Sequence, residues 1–239
     1  MEETGNYLHL SGILTDTPEY GHEVFGEKFY YATLSVPRLS GAEDLLPITI
    51  SERLMEGVEL NVGSPLCFEG QLRSYNKVIE GAGRLLITGF AQRLLDPDTE
   101  ENPNQVQLTG ALCKPPSYRT TPFGREIADL MLAVNRAYGK SDYIPCITWG
   151  RTARFASHLK VGDKVTILGR FQSRAYQKQL ADGTVLNKTA YEVSVGRLSM
   201  AEAAVGTAAP FVIRQGQRDE APLHFEAGNI DSSMFANPQ

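Results

Sequence analysis

The chain has 239 residues, of which 42% are hydrophobic and 9% aromatic, with a formal net charge of -5. This is the composition of an ordinary globular protein with room for two domains of roughly 100 residues; no apolar run approaches the ~18 residues of a membrane span, and the acidic start Met1-Glu2-Glu3 is unlike a secretory leader. A cytoplasmic protein with no membrane partner is expected, and Cys67, Cys113 and Cys146, odd in number and without a Cys-x-x-Cys, read as buried free thiols.

In chain order, short apolar runs bounded by turn residues predict strands at Leu8 to Leu14, Phe29 to Val36 and Leu46 to Ile50. A helix is predicted over Ser51 to Leu60, followed by strands at Leu66 to Ser74 and Leu85 to Phe90. Two prolines in the acidic stretch from Leu95 to Asn104 mark a linker. Beyond it, strands are predicted at Val106 to Thr109, Ile127 to Val134 and Tyr143 to Trp149. Phe155, Ala156 and Leu159 fall at helical spacing within Arg151 to Lys160, and Gly162 ends that helix. Strands at Val165 to Tyr176 and Thr189 to Val195 close the series, joined by the hairpin signal Ala181-Asp182-Gly183-Thr184. After Met200 the periodicity stops, and a flexible tail is expected.

The two series are one series written twice. Leu10-Ser11-Gly12-Ile13-Leu14 returns as Leu108-Thr109-Gly110-Ala111-Leu112, and Leu34, Val36 and Arg38 return as Leu132, Val134 and Arg136, always 98 residues on. One inserted residue then aligns Gly70-Gln71-Leu72 with Gly169-Arg170-Phe171 at 99. So long a period indicates a duplicated domain rather than a solenoid. Five strands with a helix between the third and fourth is the order of the OB-fold. The fold class is therefore all-β: two tandem OB-folds, each a five-stranded Greek-key barrel with one short helix, plus the tail. The expected domains are 1–95, an acidic and degenerate copy, a linker at 96–104, a basic copy at 105–200 and the tail at 201–239.

Charge divides the copies. Residues 1–103 carry 7 Lys/Arg against 17 Asp/Glu, whereas residues 104–200 carry 14 against 6. The basic copy also interleaves aromatics with its cations: Tyr138, Tyr143, Trp149 and Tyr176 run beside Arg119, Arg125, Arg136, Arg151, Arg170, Arg174 and Lys178. Single-stranded nucleic acid asks for both at once, because unpaired bases stack on rings while the phosphates between them need cations. Any one such residue is more often packing or a solvated face. The duplication tips the balance: at the positions of the four aromatics the first copy has Ser40, Leu45, Ser51 and Lys77, while the core pair Leu34 and Leu132 survives. The four aromatics are dispensable to the barrel and are expected to face outward. On the same comparison the first copy is expected to have lost an aromatic and cationic face.

The segments Val106-Gln107-Leu108-Thr109-Gly110, Leu132-Ala133-Val134-Asn135-Arg136, Trp149-Gly150-Arg151-Thr152-Ala153, Lys160-Val161-Gly162-Asp163-Lys164-Val165 and Gly169 to Tyr176 resemble bacterial single-stranded DNA-binding proteins in order and spacing. The resemblance covers residues 104–200. It implies that Tyr138, Tyr143, Trp149 and Tyr176 stack bases of single-stranded DNA, with Arg119, Arg125, Arg136, Arg151, Arg170, Arg174 and Lys178 contacting phosphates, in replication, recombination or repair. It also implies four barrels per assembly, hence a homodimer, associated with the nucleoid. The end Ser233-Met234-Phe235-Ala236-Asn237-Pro238-Gln239 departs from the acidic, Pro-Phe-closed tip with which the family recruits partners. Replication or repair proteins are then expected on the acidic copy or elsewhere on the tail. The alternatives are a primosome-type or mobile-element accessory protein, or an adaptor whose aromatics form a protein interface. No enzyme, metal or cofactor is implied: the four histidines are scattered, no catalytic motif is present, and Glu52, Glu56 and Glu59 read as a solvated helix face.

Overall fold

The computed structural model describes residues 5–79, 82–96, 102–136, 139–179 and 183–201. The first copy contains β1 (Asn6–Leu14), β2 (Glu19–Val24), β3 (Glu27–Pro37), β4 (Glu43–Ser51), α1 (Glu52–Met55), β5 (Pro65–Ile79) and β6 (Ala82–Leu95). The second repeats them as β7 (Asn104–Leu112), β8 (Ser117–Thr120), β9 (Glu126–Asn135), β10 (Ser141–Trp149), α2 (Gly150–Ala156), β11 (Lys164–Gln179) and β12 (Val185–Met200).

Alternation along each strand sends one set of side chains inward, and the strands close around them. In the first copy β1 pairs with both β3 and β5, while β4 meets β6 in parallel at Ile48 and Gly89, so that β1, β3, β4, β6 and β5 form a five-stranded barrel. The second copy closes identically, with Cys146 beside Val193 in the parallel pair. Leu8, Leu10, Leu34, Val36 and Phe68 fill one barrel and Val106, Leu108, Leu132, Val134 and Ile167 the other, all buried. These are two OB-folds. Strands β2 and β8 lie outside the closure, attached only to β3 and β9.

The helices are shorter than expected. α1 stops at Met55 instead of Leu60, because Gly57 adopts φ +75 just beyond it, a left-handed turn that ends the helix. α2 stops at Ala156 rather than Lys160, where the Ser157 hydroxyl donates to the Arg154 carbonyl, 2.7 Å away. The center of the expected Ala181 hairpin and the tail from residue 202 onward lie outside the described residues.

One glycine in each copy is demanded by close approach at a bulge. Gly70 and Gly169 stand at β-bulges where the register of β5 with β6, and of β11 with β12, shifts by a residue. A Cβ on Gly70 would sit 2.0 Å from the Phe90 carbonyl oxygen, and one on Gly169 would sit 2.2 Å from that of Ser194. Gly169→Ala is expected to cost about 1–3 kcal/mol through the backbone shift it forces. A urea midpoint unchanged from the parent would contradict that.

The barrels are joined at β1 and β7, which pair antiparallel from Asn6 opposite Leu108 to Leu10 opposite Asn104. A buried amide clips each end: Asn6 brackets the Leu72 backbone at 2.7 and 2.9 Å, and Asn104 brackets that of Phe171 at 2.6 and 2.8 Å. Two aspartates complete the seam. Asp142 is fully buried and accepts hydrogen bonds from Arg136 of its own barrel (2.8 Å) and from the Ser74 N–H (2.6 Å) and Arg73 (3.2 Å) of the other. Asp44 does the reverse, accepting from Arg38 (2.7 Å) and, across the seam, from the Ser173 N–H (2.7 Å) and Arg170 (2.9 Å). Ser74 and Ser173 in turn accept the backbone N–H groups of Tyr143 and Leu45 at 2.7 and 3.1 Å.

All three cysteines are free; Cys67 and Cys146 are buried and Cys113 is partly so. Burial pushes the Cys146 thiol far above its ordinary range and raises that of Cys113 as well. A thiol-reactive chromophore at mildly alkaline pH is therefore expected to modify no more than Cys113 in the native protein and all three thiols after unfolding. Rapid native labelling of Cys146 would contradict this placement.

Candidate nucleic-acid interface

The second barrel presents one outward face made by β8, β9, β10, β12 and β11. On β10, inward Ile144 and Cys146 alternate with outward Tyr143 and Trp149, which lie opposite Ala133 and Ile127 of β9. Tyr143 is 46% exposed and Trp149 40%, the disposition of rings with one surface packed and one open. Tyr176, on β11, is half-buried, and the guanidinium of Arg174 lies 6.0 Å from its ring centroid. Tyr118 on β8 and Phe123 in the following turn are also exposed. Tyr138 lies outside the described residues, and the Lys178 side chain does too.

The predicted cations separate into three groups. Arg136 and Arg170 are at the seam, each bound to a buried aspartate. Arg119 pairs with Asp129, and Arg174 with Glu192 at 2.9 Å, which raises the Arg174 pKa. Gln172 donates to the same Glu192 at 2.9 Å, and both side chains are buried. Arg125 and Arg151 form no ion pair among the described residues, and they flank the face at the start of β9 and in α2. Beside them Arg154 binds Glu126 at 2.6 Å, and this lowers the pKa of the Glu126 carboxyl. The arrangement offers separated ring surfaces with cations at the rim, and no cluster of three His, Cys, Asp or Glu able to hold a metal is present among the described residues.

The first barrel differs from expectation. At the four aligned positions the rings are absent, with Ser40 and Leu45 exposed and Ser51 buried. Elsewhere on the same face, however, His22 stacks between Phe29 and Tyr31 with centroids 5.1 and 5.7 Å away, and Phe90 tilts against Phe29 at 5.6 Å. The face is aromatic after all, at different positions. Comparing only the four aligned positions could not reveal this. The seam aspartates were missed as well, although Arg38 with Asp44 and Arg136 with Asp142 repeat one six-residue spacing 98 residues apart.

The structure thus defines a tandem OB-fold protein with an aromatic face rimmed by cations on its second barrel. Comparison with known proteins agrees. A model of the Single-strand binding protein family matches residues 103–201. Single-stranded DNA-binding protein A of Bacillus subtilis (strain 168) is 41% identical over 83 residues, 32% of this chain and 48% of that one. Single-stranded DNA-binding protein B of the same organism is 37% identical over 83 residues, 32% of this chain and 74% of that one. The chain spans about half the length of the first of these relatives. A crystal structure of a deletion mutant of the single-stranded DNA binding protein from Thermus aquaticus superposes with a TM-score of 0.60 at 25% identity, covering 82% of this chain and 94% of that one. The chain belongs to the single-strand binding protein family.

Proposed function

We propose that the protein binds single-stranded DNA without strong sequence preference through the second barrel. Tyr143, Trp149 and Tyr176 stack bases, joined by Tyr138, and Arg125 and Arg151 with Lys178 hold phosphates at the rim. Arg119 and Arg174 serve as phosphate contacts that must share their charge with Asp129 and Glu192. Arg136 and Arg170 contact phosphate only with the faces they leave open at the seam. The observation that carries this reading is the pair of outward, half-exposed rings on β10 beside Arg151, where stacking and counter-charge are both available. The exposed outer side of the central strands, with Tyr7, Ile13 and Leu168, favours a homodimer of four barrels. Single-stranded DNA as the ligand would set it to work in the cytoplasm, on the nucleoid, in replication, recombination or repair.

Gel-shift titrations with oligo-dT and with a duplex of equal length test the reading. Oligo-dT is expected to bind markedly more tightly, because paired bases withhold the surfaces on which rings stack. Equal affinity for the two would leave only charge and overturn the stacking role.

A further inference from the structure

The outward face of the first barrel puts rings where the second barrel's proposed DNA-binding face has ion-paired groups, and a carboxylate where it has one of its arginines. Matching the two barrels strand by strand places Gly21 at the position of Arg119, Tyr31 at that of Asp129 and Glu27 at that of Arg125. The β5 and β11 strands place Tyr75 at the position of Arg174. The exchanges are coordinated. Where Arg119 pairs with Asp129, the Tyr31 ring lies over the backbone of Gly21, so closely that a Cβ there would fall 2.3 Å from the ring. The Tyr31 hydroxyl shares a hydrogen bond with His22 Nδ1 at 3.0 Å. Phe29 continues the row to Phe90.

Carboxylates flank these rings. Glu19 stands opposite Tyr31 on β2 and Glu27 is two residues before Phe29, both on the ring side of the hairpin, while Glu23 stands opposite Lys28 on the other side. Glu19 forms no ion pair among the described residues. The nearby cations are engaged: Lys28 binds Glu52 at 3.2 Å, Arg53 lies 3.8 Å from Glu27, and Arg73 is held between Asp142 and the Phe90 ring. Phosphates would meet Glu19 and Glu27 here, where the second barrel has Ser117 and Arg125. A cation meets both what it pairs with and what it stacks on.

We propose that this face of the first barrel docks a cationic polypeptide segment, whose guanidinium or ammonium groups lie over Tyr31 and Phe29 and pair with Glu19 and Glu27. One chain would then hold single-stranded DNA on its basic barrel and a basic protein segment on its acidic one, with opposite requirements of charge.

The test uses the full chain and a fluorescein-labelled nona-arginine peptide read by anisotropy, with oligo-dT titrated in a separate experiment. Saturable peptide binding that weakens with salt is expected. The double variant Gly21→Arg/Tyr31→Asp installs the residues of the second barrel and leaves the net charge unchanged. It is expected to weaken peptide binding about tenfold, the loss of roughly one desolvated cation–ring contact with its pairing, while oligo-dT affinity stays the same. Peptide binding untouched by this exchange would reduce the attraction to net charge and overturn the proposal. Weakened oligo-dT binding would also overturn it, by making the face part of a nucleic-acid path. Glu19→Gln, an exposed position whose change leaves the packing alone, is expected to weaken the peptide as well; unchanged affinity there would count equally against the site.

Discussion

Asp142→Ala is expected to destabilise the chain by about 3–5 kcal/mol, the cost of removing one partner from a buried, hydrogen-bonded ion pair. The carboxylate is fully buried and satisfies a backbone N–H of the opposite barrel as well as two guanidinium groups, Arg136 and Arg73. Without it those cations face each other in a partly desolvated seam. Burial already lowers the Arg73 pKa, and the nearby Arg136 lowers it further. The loss should appear as a lower midpoint in denaturant with an unchanged slope, and as a fall in Tm of roughly 10 °C for a chain of this size. The exposed pair of Arg154 with Glu126 makes the contrast, since solvent screens it and its removal should hardly move the midpoint. A change below about 1 kcal/mol in Asp142→Ala would show that the two barrels do not depend on this clamp.

Removing both open rings of β10 is expected to have the largest effect on binding. Stacking contributes about 1–3 kcal/mol per base, so Tyr143→Ala and Trp149→Ala should each weaken oligo-dT binding by about tenfold to a hundredfold. Together they should weaken it by more than either alone. Both side chains are exposed by more than a third, and their backbone positions are fixed by pairing with β9 rather than by the rings. The double variant should therefore keep the parental circular dichroism and denaturant midpoint. If it unfolds instead, the rings are packing groups and the stacking role is lost. The Tyr143 backbone is additionally held by Ser74 of the other barrel, so the acidic copy helps to position the strand that carries the rings.

The barrels were legible in the sequence because inward alternation repeats between copies: Leu34 with Leu132 and Phe68 with Ile167 are buried in both. The outward setting of Tyr143 and Trp149 was legible for the converse reason, since the first copy dispenses with rings there. The partners of the cations were not. Asp129 lies ten residues from Arg119 and Glu192 eighteen from Arg174, separations that only strand pairing brings together. The seam was hidden for the same reason, because Asp142 meets Ser74 68 residues away across two barrels. The aromatic row of the first barrel escaped because its rings moved to other strands of the same face. The helix ends were set by local turns at Gly57 and Ser157, which periodicity of apolar residues does not report.

Trp149 is the sole tryptophan, so its fluorescence reports directly on the proposed stacking position. Titration with oligo-dT at increasing salt is the most direct test. Stacking predicts saturable quenching, with an affinity that falls steeply with salt as bound phosphates release their counterions. Fluorescence that stays constant through saturating oligo-dT, with no salt-dependent binding, would contradict the assignment of single-stranded DNA to the second barrel.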